Sequence, residues 1–181
     1  MLATFVLPAA RALRLRGIDP MEVFEEVGID PAGLARPDWR ISHAVGNALF
    51  AKAVSLTDDE AFGLFAAEQL QPQVLHGLGL AWLASDTVYD GLKRMARFGK
   101  LISTGANPHL VEDDDFVHVQ LDRVLEIPDF CFAGRDYAVG MIVIMCRLTL
   151  GEFIAPVAIA IERPTPQAPE RWEYELATHV T

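Results

Sequence analysis

The tetrapeptide Gly-Ile-Asp-Pro occurs twice in close succession, at residues 17–20 and again at 28–31. Each copy reads as one helix ending and the next beginning. Glycine accepts the left-handed conformation that closes a helix. Aspartate caps the following helix with its side chain, and proline, which has no N–H to lose, suits the first helical position. Ile18 and Ile29 stand where a hydrophobic staple would pack, on Val23 and Leu34, and Glu22 sits three after Asp19 as a capping box requires. A chain punctuated in this way folds as a run of helices over residues 5–36, the second and third of them short.

Helices joined by such tight turns invite a DNA-binding helix-turn-helix reading, and charge argues against it. From Gly17 to Arg40 the chain carries Asp19, Glu22, Glu25, Glu26, Asp30 and Asp38 against Arg36 and Arg40. The whole chain has 15 Lys+Arg and 25 Asp+Glu, a formal net charge of −10. A surface of that sign repels a phosphate backbone. With 181 residues and 51% apolar side chains the chain has enough material for one packed core and is expected to form a single domain over 1–181.

Helical spacing continues downstream. Ser42 is placed to cap a helix through Ser55, with Val45, Leu49, Phe50 and Ala53 inward. Asp58 or Asp59 opens another that ends near Leu70. Gly77 and Gly79 precede a short apolar helix over 80–84, and Ser85 or Asp86 caps a longer one carrying Val88, Leu92, Met95 and Leu101. After Asn107 the texture changes. Two alternating segments, 110–112 and 116–121, flank Asp113-Asp114-Asp115 as a hairpin. A tight turn at Asp113-Asp114 would set His109 opposite His118, two imidazoles on the outer face that could respond weakly to pH or metal. A long helix apolar on nearly all sides is expected over 132–150, a third strand over 156–161 and a polar loop over 164–175. Helices first and strands later imply an α+β fold: an N-terminal helical region, then a small antiparallel sheet, hairpin plus third strand, packed against the long apolar helix.

The chain lacks the glycine-rich phosphate loops and the metalloprotease helix. Its two cysteines, Cys131 and Cys146, are too few for a disulfide scaffold or a four-cysteine zinc site. No nucleophile–base arrangement stands out, so no enzymatic activity, metal or cofactor is expected. The apolar residues 2–10 precede Arg11, Arg14 and Arg16, the reverse of a secretory signal, and read as an amphipathic first helix. The longest apolar run, 137–146, is about half of a bilayer span, so no membrane partner is expected.

Several segments, taken in order, resemble the N-terminal effector domain of AraC-type transcriptional regulators. They are the two Gly-Ile-Asp-Pro units, Pro37-Asp38-Trp39-Arg40-Ile41-Ser42, Leu56-Thr57-Asp58-Asp59 with Phe62-Gly63-Leu64, and Ala84-Ser85-Asp86-Thr87-Val88 with Gly91-Leu92 and Arg94. The subgroup is the arabinose-binding-domain-like one. The resemblance implies a cytoplasmic bacterial regulator whose front domain senses a small molecule and forms a homodimer, with DNA bound only through a C-terminal domain absent from this chain. A stand-alone lipid- or haem-like binding domain is the alternative. The resemblance carries over no ligand residue.

The residues themselves suggest where a ligand would sit. Trp82, Phe98, Tyr137, Met141 and Met145 are uneven side chains suited to a cavity between the long helix and the helices before the hairpin. His76 lies in an apolar, glycine-rich stretch beside them. Arg135 and Arg147 on the long helix need a carboxylate such as Asp136 or an anionic ligand, which favours a small apolar or carboxylate-bearing effector.

Overall fold

The computed structural model describes residues 1–123 and 130–181. Its helices are α1 (Leu7–Leu15), α2 (Pro20–Val27), α3 (His43–Thr57), α4 (Phe62–Glu68), α5 (His76–Leu83) and α6 (Val88–Phe98), followed after the hairpin by α7 (Ala133–Leu150) and α8 (Glu170–Leu176). The hairpin is β1 (Ala106–Glu112) and β2 (Val117–Arg123). The class is α+β with a two-stranded antiparallel sheet.

Both Gly-Ile-Asp-Pro units work as the chain chemistry dictates. Gly17 and Gly28 take φ of +75° and +78°. Asp19 accepts the Met21 N–H and Asp30 that of Ala32, each at 2.9 Å. The second unit starts only a 3₁₀ turn, Pro31–Ala35. Ser42 caps α3 by accepting the Val45 N–H at 3.1 Å, and Thr87, not Ser85 or Asp86, caps α6 through the Asp90 N–H at 3.0 Å. The apolar helix α5 begins at His76 and therefore contains Gly77 and Gly79.

Leu13, Phe24, Leu49, Phe62 and Tyr137 are fully buried in the main core. α4 and α7 cross at backbone distance. A Cβ on Gly63 would stand 2.0 Å from the Ala133 carbonyl oxygen, and one on Gly140 would stand 2.7 Å from Ala67 Cβ. Only glycine fits at either point.

Four expectations need correction. The turn of the hairpin centres on Asp114-Asp115, because the Asp113 carboxylate accepts the N–H groups of Asp115 and Phe116 at 2.9 and 2.8 Å and folds the chain one residue later. His109 therefore pairs with Gln120, and Val111 with His118. The imidazoles find separate partners: His109 meets Gln120 Oε1 at 2.9 Å, and His118 meets Asp113 Oδ2 at 2.8 Å.

The hairpin rests chiefly on α6 and the turn Gly99–Leu101 rather than on α7. Tyr89 of α6 donates to Glu112 and helps to hold it there. The third strand over 156–161 does not form. Ile159 makes a single parallel bridge with Val180, since Pro156 lacks the N–H a ladder needs and only three backbone bonds join the two segments. Residues 164–175 are not all loop: Trp172 and Leu176 lie one helical turn apart on α8 and bury against Ala61, Leu64, Val143 and Ile161 as a second small core.

Candidate functional site

A partly open cavity of about 190 Å³ lies between α3, α5, the end of α6, the hairpin and α7. Its wall is mostly apolar. Leu78 and Trp82 come from α5, Met95 from α6, Pro108 and Leu121 from the hairpin, and Gly134, Ala138, Met141 and Ile142 from α7. Among the described residues the hairpin packs chiefly on α6, which gives the α7 face opposite it little close cover, and uneven side chains there leave space.

Polar groups are few. His43, Gly46, Asn47 and Phe50 follow helical spacing along α3 and line one wall together. His43 Nε2 lies 3.1 Å from Ser103 Oγ. Burial, and then the nearby N-terminal ammonium, lower the pKa of His43, which keeps the imidazole neutral at physiological pH. Asn47 Oδ1 accepts the Cys131 N–H at 2.7 Å and so ties α3 to the start of α7. Burial pushes the Cys131 thiol upward, the opposite of an activated nucleophile.

Of the eight residues the sequence suggested, Trp82, Arg135 and Met141 line this cavity. The other five lie elsewhere. His76, at φ +50°, stands 2.9 Å from Thr4 Oγ1. The Thr4 hydroxyl proton goes to the Val74 carbonyl at 2.9 Å, so His76 Nε2 is the donor in the pair. Phe98 is 41% exposed and stacks under Arg97. Tyr137 is buried between Phe5 and Phe50, with its hydroxyl donating to the Phe5 carbonyl at 3.1 Å. Met145 fills the main core. Arg147 donates to the Ile154 and Leu176 carbonyls at 3.0 and 3.2 Å, covers the Phe153 ring, and has Glu68 and Glu175 as neighbouring charges.

Asp136 is not the partner of Arg135 or Arg147. It is fully buried and pairs with Arg163. Burial outweighs that guanidinium and raises its pKa to about 6. Trp172 Nε1 approaches the same carboxylate without closing a hydrogen bond, so among the described residues Asp136 Oδ1 and the indole N–H each have no hydrogen-bond partner. Arg135 donates to the Glu162 carbonyl, and its guanidinium lies 5.2 Å from the centre of the Phe130 ring and 5.7 Å from that of Phe132.

The α3 wall and the hairpin wall escaped the sequence reading. His43, Gly46 and Asn47 could have signalled the former: small and polar residues at helical spacing beside Leu49 and Phe50 mark a helix face that meets something other than a filled core. Among the described residues no group of three or more His, Cys, Asp or Glu could hold a metal ion.

The model of the family described as the arabinose-binding domain of AraC transcription regulators, N-terminal part, matches residues 17–181. The chain belongs to that family. Among curated proteins none matches. This AraC-type domain is also similar in structure to the transcriptional regulator CdpR from Pseudomonas aeruginosa, with a TM-score of 0.63 at 15% sequence identity. At that identity the likeness shows the fold. The match covers 100% of this domain and 52% of the CdpR chain, so the domain spans about half the length of that regulator. The family is the N-terminal, arabinose-binding part of AraC transcription regulators, and this AraC-type chain corresponds to that part.

Proposed function

We propose that this domain senses a small apolar molecule in the cavity and forms a homodimer within a bacterial AraC-type transcription factor. The cavity carries the reading. A packed domain keeps few voids larger than a water molecule, and this one is walled by apolar side chains from five elements with a small polar group at His43 and Ser103. Arg135 is the one arginine, lysine or acid on the described wall, so a carboxylate-bearing effector fits as well as a neutral one. The domain acts by binding and not by turnover, works in the cytoplasm, and reaches DNA through a further domain. Exposed Leu148, Leu150, Phe153 and Val157 around the end of α7 supply apolar surface for self-association.

Met141→Trp tests the cavity. The indole should occupy the void, leave stability within about 1 kcal/mol of the parent and abolish any ligand carried through purification, read by native mass spectrometry. A loss of about 1–3 kcal/mol would mean a filled core and would remove the reading. The same spectra report whether the domain is a dimer; a monomer at micromolar concentration would count against self-association.

A further inference from the structure

α7 has three faces and one residue on a seam between two of them. Gly134, Ala138 and Met141 face the cavity, Gly140 meets α4, and Val139 and Val143 pack on the second core with Ile161, Trp172 and Leu176. Helical spacing puts Arg135 between the cavity face and the second-core face. Arg135 lines the cavity, and its guanidinium donates to Glu162, in the segment that runs from Ile159 to Thr181.

That segment is held to the helices by a small set of polar ties. Arg163 binds Asp136, Arg171 binds Asp59, Gln167 N–H donates to Glu60 at 2.9 Å, and Arg147 donates to the Leu176 carbonyl. Among the described ties, only the one made by Arg135 comes from a residue that also lines the cavity.

We propose that Arg135 couples the cavity to residues 159–181: a ligand carboxylate draws the guanidinium inward, away from Glu162, and loosens that segment. The inference rests on the ligand-sensing reading of the cavity. Two features make this tie the one that yields. Its acceptor at Glu162 is a backbone carbonyl, and the Glu162 carboxylate, 3.9 Å away, has a side chain 98% exposed and adds little in water. A carboxylate in a largely apolar cavity offers the same guanidinium two parallel charge-assisted bonds, which are stronger and better oriented. The Phe130 and Phe132 rings lie beside the guanidinium, and a cation–π contact uses none of its N–H donors, which stay available to either acceptor.

The experiment is amide hydrogen exchange on the 181-residue chain with two probes, phenylbutyrate and its neutral analogue phenylbutanol. The reporter amides are Ile161, which donates to the main-chain oxygen of Thr181 at 2.8 Å, and Thr181, which donates to the Ile159 carbonyl at 3.0 Å. Saturating phenylbutyrate should speed exchange at both by about tenfold, the scale of one lost hydrogen bond to a charged group. Phenylbutanol should bind and leave both rates unchanged. Arg135→Gln should show the faster exchange without a probe, and phenylbutyrate should add nothing further to it. Arg135→Lys, which keeps one donor, should fall between parent and Gln and carries the same comparison if the Gln chain folds poorly.

If both probes bind while neither phenylbutyrate nor Arg135→Gln changes the reporters, the coupling is overturned and the sensing reading stands. If phenylbutanol changes the reporters as much as phenylbutyrate, the carboxylate step is overturned. If neither probe binds, the coupling has no input, and both the coupling and the sensing reading fall for this chemistry.

Discussion

The helical block and the C-terminal segment hold themselves in place by different physics. Residues in α1 to α4 bury Leu13, Phe24, Leu49 and Phe62 completely, and α7 closes on them through glycine contacts. After Gly151 the chain has one short helix, one isolated bridge and a core of a few apolar residues. Charge takes over there. Asp59 serves Arg16 at 3.0 Å and also Arg171, and Asp136 serves Arg163, whose guanidinium also lies 4.6 Å from the Trp172 ring. Apolar packing is insensitive to salt and to modest pH change, whereas ion pairs respond to both. One chain thus contains a fixed scaffold and an adjustable attachment.

The largest break in that contrast should come from the scaffold. Phe62→Ala empties a fully buried site and should cost about 3–5 kcal/mol in denaturant unfolding. A cost below about 1 kcal/mol would mean that α4 is not packed as tightly as its burial says.

A smaller and local effect is expected at the attachment. Arg171→Met leaves Asp59 with Arg16, and both arginine side chains are 40% exposed, so solvent screening limits the loss to about 1 kcal/mol. It should be felt as faster amide exchange in α8, with the midpoint of global unfolding nearly unmoved. An equal change in both measurements would merge the two regions into one cooperative unit.

The smallest effect is a matter of sign. Burial raises Asp136 to about 6 and, with the Glu175 carboxyl beside it, raises Glu68 to about 7. Both groups hold protons more tightly folded than unfolded. At these two carboxyls the folded state therefore carries more protons between the ordinary carboxylate range and about pH 7, which favours folding as pH falls from about 7 to about 5. His43, lowered by burial on the cavity wall, opposes that gain as pH falls through the ordinary imidazole range. Both carboxyls face the C-terminal segment, Asp136 through Arg163 and Glu68 through Glu175 and Arg147. The gain should therefore appear in α8 exchange, corrected for intrinsic rates, before it appears in global unfolding. A fall in α8 protection over the same interval would show that pairing with Arg163 outweighs the cost of burying Asp136.

What the sequence revealed follows the same division. The helix caps were legible because Gly, Asp, Pro and Ser act on their own immediate backbone, and Gly28, Asp30 and Ser42 do so here. The hairpin turn was misplaced by one residue because three consecutive aspartates offer the same local chemistry, and only the choice of which carboxylate folds back decides among them. The C-terminal segment was misread more severely. Its order depends on Asp59 and Asp136, distant in sequence from Arg171 and Arg163, and no local pattern announces such pairs. For the candidate site, the aromatic and methionine pattern did not separate core from cavity: Tyr137 and Met145 pack inward, while Trp82 and Met141 face the void. That difference depends on where the hairpin leans, which is a tertiary outcome.

The glycine crossing of α4 and α7 also sets what kind of machine this domain can be. With the Ala133 carbonyl seated against Gly63 and Gly140 against Ala67, α7 has no clearance to slide along or roll over its neighbour. A piston or lever stroke of that helix would drive backbone into backbone. The helix is instead a bulkhead, rigid between two compartments, and anything that passes from one to the other must do so through fittings mounted on it.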